Sequence, residues 1–354
     1  MSPGQCATSP SKADRLSRGQ FLSSVAINSP ICLEHYRLIL RLPSFPPTRP
    51  GQFLQLACHD VSASYAADVE HEWAADRPPR LSGDELRSPL AILRRPFSLA
   101  GRRDVSNCVE LEFIYRTVGV GTRWLSELKH GQTVGLLGPL GNCFELPPPD
   151  GAAILVGGGV GIPPMLYLAS ALAGRKAVAF CGALNRDLLP LTITADAPPP
   201  QPHQCEGLYN IHEFAQHGIA TVVCTDDGSY GFRGLVTEAL ERYLDRYFRA
   251  SALSTQHSAL STRDSSLITH RSPTIYTCGP EAMMKRVAAI AADRGIECQV
   301  AVERAMACGM GTCQSCCIRV RKPDPSQPPL AGQDWCYRLT CTDGPIFRGA
   351  ELLW

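Results

Sequence analysis

Apolar and polar residues alternate with a period of two in the first part of the chain, which predicts half-buried strands. Between Arg37 and Leu42 the leucines fall on one face and the arginines on the other, and the apolar residues of Val109–Tyr115 alternate with Glu110 and Glu112. Two further short strands are predicted at Gln52–Leu56 and Phe97–Leu99. Short alternating strands with turn signals between them predict an antiparallel barrel or sandwich over residues 21–147.

The hydrophobic period changes after a proline-rich linker at Pro147–Asp150. Continuous apolar runs, typical of strands buried on both faces, now alternate with helical runs. The predicted strands are Ala152–Val156, Ala177–Cys181, Ala220–Cys224 and Ile275–Cys278, and the predicted helices are Met165–Leu172 and Pro280–Arg294. The inward face of the second helix is predicted to carry Met283, Met284, Val287, Ile290 and Ala291. This order of elements predicts a doubly wound parallel sheet over residues 150–300.

Four segments are assigned outside these two patterns. Residues 1–20 are rich in serine, proline and arginine and have no apolar run, which predicts a disordered leader and no secretory signal. Residues 60–90 are polar and acidic, and residues 251–272 are rich in serine and threonine, so both are predicted to be surface insertions. Residues 301–354 carry a cluster of cysteines and are predicted to form a small third domain.

The stretch 151–174 carries no charged residue and is long enough to cross a bilayer. Its centre, however, holds four glycines and two prolines, which cost about 1 and 3 kcal/mol each in a helix. A buried strand, a glycine turn and a helix opened by proline therefore fit the sequence better than a membrane span.

Charge and cysteine content narrow the functional classes. The chain of 354 residues has 34 Lys and Arg against 33 Asp and Glu, so it lacks the basic excess of a nucleic-acid-binding or membrane-surface protein. It also has 16 cysteines, yet it is long enough to form its cores without disulfides. A reducing, cytoplasmic compartment is predicted.

Cys308, Cys313 and Cys316 have the spacing C-x4-C-x2-C. With a fourth cysteine downstream this is the order of a plant-type [2Fe–2S] cluster, whereas zinc ribbons favour paired C-x2-C units, of which only one is complete here. Two glycines in the first loop allow the backbone to wrap closely and to point amide groups at the cluster. An iron–sulfur cluster is therefore favoured over zinc, and both Cys336 and Cys341 are candidates for the fourth ligand.

Two strings in the first domain predict a flavin dinucleotide site. An arginine fork suits a pyrophosphate, a serine can hydrogen-bond a flavin ring nitrogen, and glycines that open a helix form an anion-binding end. Each string alone is a weak signal, and together in a barrel they point to FAD. The candidate residues are Arg95, Pro96, Phe97, Ser98, Gly119, Gly121 and Thr122.

Three loops at one edge of the predicted parallel sheet indicate a nicotinamide nucleotide site, because such sheets bind ligands outside the carboxyl ends of their strands. The candidates are Gly158, Gly159, Gly161, Cys278, Gly279 and Pro280, with Asp226 as a weaker candidate for a ribose hydroxyl. Arg186 leaves the choice between NAD and NADP open, since it suits a 2′-phosphate or a solvated surface equally.

These strings occur in one order along residues 28–350: R-P-F-S, V-G-V-G-T, G-G-G-V-G-I-P-P, T-D-D-G-S, C-G-P-E and M-A-C-G-M-G-T-C-Q-S-C. The chain resembles the ferredoxin–NADP reductase superfamily and, within it, the electron transfer subunits of NAD-linked dihydroorotate dehydrogenase. The resemblance implies that the candidates above bind FAD and NAD(H). It also implies that Cys308, Cys313, Cys316 and Cys341 ligate the cluster, with Cys341 preferred to Cys336.

The resemblance further implies a role in pyrimidine biosynthesis. Electrons would pass between a separate catalytic subunit that oxidises dihydroorotate and NAD+, within a hetero-oligomer. No catalytic residue for dihydroorotate is predicted in this chain. The alternatives are the same redox module serving a hydrogenase, a sulfite reductase or a ferredoxin, and, in a different class, a zinc-stabilised binding protein without redox activity.

Overall fold

A computed structural model describes residues 19–61, 91–194, 200–253, 273–321 and 334–354. Most of the predicted leader and nearly all of the two predicted insertions lie outside the described residues. At the end of the leader the prediction was wrong by two residues, because a long strand begins at Gly19 and pairs there with residues near Gly138. Within the described residues, no helix is both long and apolar enough to cross a membrane.

The first sheet has seven antiparallel strands in the order β4-β3-β7-β1-β2-β6-β5. The strands are β1 (Gly19–Cys32), β2 (His35–Leu42), β3 (Phe53–Cys58), β4 (Ala91–Ser98), β5 (Gly101–Val105), β6 (Cys108–Arg116) and β7 (Thr133–Leu140). A short helix, α1 (Val120–Glu127), connects β6 to β7 and packs against β3 and β4. The antiparallel sheet of a barrel or sandwich predicted from the alternation is confirmed, and the sequence did not predict β1, β5 or β7.

The alternating faces of β2 and β6 behave largely as the sequence predicts. Leu38, Leu40 and Leu42 are buried in the barrel core. Glu110 alternates with apolar residues along β6, yet it is buried. The reason is that it lies opposite Arg41 of β2 and Arg103 of β5, which both donate hydrogen bonds to its carboxylate. The two arginines also hold the pKa of Glu110 below its usual value.

The second sheet is the predicted doubly wound sheet. Its parallel strands are β8 (Ala153–Gly158), β9 (Ala177–Ala183), β10 (Ala220–Thr225), β11 (Phe232–Arg233), β12 (Thr274–Cys278) and β13 (Glu297–Ala301). They lie in the order β11-β10-β9-β8-β12-β13, so the chain reverses direction across the sheet between β8 and β12. The helices are α2 (Ile162–Ala171), α3 (His212–Ala215), α4 (Val236–Leu253) and α5 (Glu281–Asp293).

Helix α5 buries four of the five residues predicted for its inward face, namely Met284, Val287, Ile290 and Ala291. Met283 is only half-buried, because its side chain lies at the end of the sheet. A Cβ added at Gly158 would be only 2.6 Å from the Met283 sulfur. Met283 thus lies beside the glycine turn and also packs against the core of the second sheet.

The last part of the chain contributes a hairpin and an edge strand. Strands β14 (Cys317–Arg321) and β15 (Trp335–Leu339) pair with each other, and β16 (Ile346–Arg348) adds antiparallel to β13. Asn142, just beyond β7, donates from its side-chain amide to the carbonyls of Asp343 and Ile346 and accepts from the Ile346 amide. These bonds hold the cysteine-bearing segment against the first sheet.

Candidate functional site

The first two predicted cysteines share one tight loop. The backbone amides of Met310 and Cys313 both point at the Cys308 Sγ atom at 3.4 Å. Gly309 and Gly311 make this wrapping possible, because both have positive φ angles, +69° and +87°, which side chains disfavour. The loop therefore presents amide groups around a cysteine sulfur, as the sequence predicts for a cluster-binding turn.

Cys316 and Cys341 form a second pair on the inner side of the loop. Both are buried, and they pack with Phe53 and Leu140 of the first sheet. Burial, followed by contact with Cys316, raises the pKa of the Cys341 thiol to about 12. By contrast, hydrogen bonds from Ser315 and from the Cys308 region lower the pKa of the exposed Cys313 to about 6.

The four thiols fit a two-iron group in this arrangement. Within the described residues, no group of three or more His, Cys, Asp or Glu side chains is placed to hold a metal ion as the side chains now lie. Instead, Cys308 contacts Cys313 and Cys316 contacts Cys341, and the two pairs interact electrostatically through Cys341 and Cys308. Two adjacent pairs of thiols suit a [2Fe–2S] cluster, which takes four thiolates over two irons.

The other two cysteines of this segment point elsewhere. Cys317 is exposed on β14. Cys336 lies on β15 opposite Val320 and packs against the core of the second sheet. The structure therefore brings Cys341, and not Cys336, to the loop of Cys308.

A glutamine that the sequence analysis missed contacts this loop. Gln55 is the only polar residue of β3 and is 1% exposed. Its Nε2 atom donates to the Ala307 carbonyl at 3.4 Å, and a Cβ added at Gly309 would be 2.7 Å from its carboxamide. A polar side chain in an otherwise apolar buried strand was the available signal.

The predicted flavin strand lies directly beside β3. In β4, Arg95, Phe97 and Ser98 face Leu56, Leu54 and Phe53 across the pairing. Arg95 is exposed. Among the hydrogen bonds of the described residues, the Arg95 guanidinium donates only to the Leu93 carbonyl, at 3.0 Å. The guanidinium is therefore available to an anion.

Helix α1 begins next to this strand with the predicted glycine turn. The Thr122 hydroxyl accepts from the amides of Val118 and Gly119 at 2.9 and 3.1 Å and donates to the Gly119 carbonyl. Thr122 thus fixes the turn. Gly121 is buried in the helix, and space is open around Gly119.

The glycine turn after β8 packs against the loop after β12. A Cβ at Gly161 would be 2.2 Å from the Cys278 carbonyl oxygen, and one at Gly279 would be 3.1 Å from the Gly158 backbone. Gly159 has a φ of +52° and nothing within 4 Å of an added Cβ. Pro280 precedes helix α5. The structure therefore brings both predicted nucleotide loops together at the reversal point of the sheet, where such sheets bind nucleotides.

Asp226 lies at the carboxyl end of β10, on the same edge of the sheet. It is exposed, and its pKa is raised by partial burial and by the neighbouring Asp227. Arg186 approaches the same loop, because its amide bonds the Ser229 hydroxyl at 2.8 Å and its guanidinium lies 5.7 Å from the centre of the Tyr230 ring. The sequence did not predict this cation–π contact.

The three candidate regions meet on the first sheet. Strand β6 contacts the turn Gly159–Gly161, while β3 contacts the cysteine loop and pairs with β4. The turn Gly159–Gly161 therefore lies against β6, the thiols lie against β3, and the flavin strand β4 pairs with β3 and contacts β6. Such an arrangement suits electron transfer along a series of cofactors.

Known proteins resemble this chain in sequence, both over the cysteine segment and over most of its length. Residues 303–353 match the model of the iron–sulfur cluster binding domain of dihydroorotate dehydrogenase B. The electron transfer subunit of dihydroorotate dehydrogenase B (NAD+) from Desulforamulus reducens is 30% identical over 270 residues, 76% of this chain and 83% of that protein. The corresponding subunit from a Geobacillus species, strain WCH70, is 32% identical over 267 residues, 74% of this chain and 80% of that one.

A solved structure shows the same architecture over nearly the whole chain. The NADH-dependent reduced ferredoxin–NADP oxidoreductase superposes with a TM-score of 0.61 at 25% identity, covering 95% of this chain and 91% of the other. The agreement spans both sheets and the cysteine segment, as the resemblance of the motifs implied. On this sequence identity, coverage and fold, the chain belongs to the family of dihydroorotate dehydrogenase B (NAD+) electron transfer subunits.

Proposed function

We propose that the chain passes electrons between a partner subunit that oxidises dihydroorotate and NAD+, as a component of an NAD-linked oxidoreductase of pyrimidine synthesis. The observation that carries the proposal is the contact of the paired thiols with β3, the neighbour of the predicted flavin strand. A [2Fe–2S] cluster takes one electron at a time, a flavin takes a pair and releases single electrons, and NAD(H) carries a pair as hydride.

The residues of the chain have distinct roles in this proposal. Cys308, Cys313, Cys316 and Cys341 hold the cluster. FAD is held by Arg95 toward its pyrophosphate, by Pro96, Phe97 and Ser98 along β4, and by the turn of Gly119, Gly121 and Thr122. NAD(H) is held by Gly158, Gly159 and Gly161, by Cys278, Gly279 and Pro280, and at its ribose by Asp226.

The proposed domains follow from the same sites: 21–147 for FAD, 150–300 for NAD(H) and 301–354 for the cluster. The third crosses into the second, since β16 completes the edge of the parallel sheet. We also propose a cytoplasmic location, because thiolate ligands must remain reduced until a cluster is assembled.

Paired cysteine substitutions test the assignment. The full chain is co-expressed with the dihydroorotate-oxidising subunit and purified anaerobically, as wild type, Cys341→Ser and Cys336→Ser. Wild type and Cys336→Ser should show flavin and iron–sulfur absorption bands and reduce NAD+ when dihydroorotate is added. Cys341→Ser should lose the iron–sulfur bands and that activity while it keeps flavin.

Several results would contradict the proposal. A colourless wild-type protein that contains zinc would establish the binding-protein alternative. Flavin and iron–sulfur bands without dihydroorotate-dependent reduction of NAD+ would indicate a different partner, such as a hydrogenase, a sulfite reductase or a ferredoxin. If Cys336→Ser alone lost the cluster, the fourth ligand would be Cys336 and not Cys341.

A further inference from the structure

Gln55 is placed between two of the proposed cofactor regions. Along β3, Leu54 and Leu56 enter the barrel core, while Phe53 and Gln55 face the other way. Phe53 packs with Cys316 and Cys341, and Gln55 lies over the loop of Cys308. The outward face of this one strand therefore forms the floor of the cysteine site.

The carboxamide of Gln55 is buried without full hydrogen bonding. Its Oε1 atom has no partner among the described residues, and its Nε2 atom makes one long bond of 3.4 Å to the Ala307 carbonyl. An apolar side chain of this size would avoid the cost of burying an unpaired oxygen. Protein stability alone therefore gives no reason for glutamine at this position.

The contact with the loop is close and local. Gly309 follows Cys308 directly, and a Cβ there would lie 2.7 Å from both the Cδ and the Oε1 atoms of Gln55. The same turn carries the two amides that point at the Cys308 sulfur, those of Met310 and Cys313. The position of the Gln55 carboxamide thus limits where this turn and its amides can lie.

On the other side, the backbone of Gln55 belongs to the flavin region. It lies opposite Pro96 of the R-P-F-S segment in β4 and opposite Leu137 in β7. Since neighbouring strands are held by backbone pairing, β3 has little freedom to shift relative to β4. The position of the loop that contacts Gln55 is thereby fixed relative to the flavin strand.

We propose that Gln55 is a positioning residue that holds the cluster-binding turn against the flavin strand and thereby sets the reduction potential of the cluster. The inference rests on the proposed function. Hydrogen bonds to cluster sulfurs are one of the factors that set such potentials. When Gln55 no longer restrains the turn, the amides of Met310 and Cys313 donate less effectively to Cys308, and the reduced cluster is less stabilised.

The test compares Gln55→Met with Gln299→Met in the anaerobically purified complex. Gln299 is also a buried glutamine, on β13, but it bonds the Glu145 backbone at 2.9 Å through both ends of its amide, away from the cysteine loop. The cluster potential is measured by a redox titration followed by electron paramagnetic resonance, and the melting temperature and iron content are measured on the same samples.

We expect opposite results from the two variants. Gln55→Met should keep its iron and its melting temperature but shift the equilibrium of cluster reduction about tenfold toward the oxidised form, a fall of about 59 mV for one electron. Gln299→Met should melt at a lower temperature with an unchanged potential. Gln55→Asn, which retains a shorter amide, should give a potential between wild type and Gln55→Met.

Three outcomes separate this inference from the proposed function. A Gln55→Met variant with wild-type potential and resonance spectrum, in a wild-type background that holds flavin and cluster, would overturn only the role of Gln55. The role of Gln55 would likewise be overturned if Gln55→Met merely lowered the melting temperature and Gln55→Asn kept the wild-type potential. A wild-type complex without an iron–sulfur signal would instead overturn the proposed function.

Discussion

Replacing Gly161 by alanine tests whether close packing of the two nucleotide loops supports NADH binding. Gly161 has a φ of −84°, which alanine adopts without strain, so only space limits the substitution. The added Cβ would be 2.2 Å from the Cys278 carbonyl oxygen and 2.5 Å from the Gly279 amide nitrogen. Because these are backbone atoms, the loops after β8 and β12 must separate by roughly 1 Å to relieve the overlap.

The expected cost follows from this overlap. Overpacking of a buried site costs about 1–3 kcal/mol, so Gly161→Ala should lower the free energy of unfolding by that amount. Separation of the loops should also weaken NADH binding at least tenfold, about 1.4 kcal/mol. Gly174→Ala is the control, because Gly174 has a φ of +78° with nothing within 4 Å of an added Cβ. It should cost about 1–2 kcal/mol of stability through conformation alone.

The assay is equilibrium urea unfolding together with NADH titration by fluorescence, on the full chain whose bound flavin has been reduced beforehand so that NADH binds without transferring hydride. Gly161→Ala should lose stability and affinity, whereas Gly174→Ala should lose stability and keep the wild-type dissociation constant. If Gly161→Ala binds NADH as tightly as the wild type, the close approach of the loops does not serve the nucleotide, and the assignment of this edge of the sheet is refuted.

Three further predictions concern the first sheet. Glu110→Gln should make the free energy of unfolding depend less on pH in the acid range. Arg41 and Arg103 hold the pKa of Glu110 below 4.5, so the ionised carboxylate stabilises the fold above that pH and loses this effect as the pH falls through the lowered pKa. Equal pH dependence of the variant and the wild type in urea unfolding would contradict this. Leu38→Ala should lower the free energy of unfolding by about 2–5 kcal/mol in the same assay. Leu33 is 57% exposed, so Leu33→Ala should lower it by less than about 0.5 kcal/mol. Similar losses in the two variants would be inconsistent with the barrel core. Thr122→Ala should cost about 1 kcal/mol and release FAD faster on dialysis; unchanged flavin retention would separate the turn from the flavin site.

Contacts between the two sheets give the proposed electron path a fixed geometry. Arg37 of β2 bonds Glu112 at 2.9 Å and Glu213 of α3 at 3.2 Å. Glu213 also accepts hydrogen bonds from the amide and the hydroxyl of Thr192. Burial raises the pKa of Glu112. Since Glu213 lies on helix α3 of the nucleotide domain, this network ties the nucleotide domain to the flavin barrel.

The strands with regular periods were predictable from local sequence. Strand β2 alternates leucine with arginine, and β8 is continuously apolar, so periodicity alone identified both. Strand β1 has no such pattern, because its pairing with β2 contains two irregularities and only Ser23 and Val25 among its residues are buried. Strand β7 contains glycine and proline, which weaken any strand prediction.

The candidate site likewise has features that the local sequence predicts and features that it does not. The spacing of Cys308, Cys313 and Cys316 was sufficient to predict an iron–sulfur cluster, since ligand spacing is a local property. The choice between Cys336 and Cys341 was open on spacing, and in the structure Cys341 packs beside Cys316, whereas the hairpin directs Cys336 into a core. Gln55 was missed, because its contact joins residues far apart in sequence.

The sequence by itself determined the class of both sheets, the chemistry of the cysteine cluster and the family resemblance, because periodicity, turn glycines and ligand spacing act over a few residues. Only the tertiary structure decided that β3 is the floor of the cysteine site, that Glu110 is buried between two arginines, and that β16 returns to the parallel sheet. These features depend on strand order and packing between distant segments, whose energies come from surfaces that meet only when the whole chain has folded.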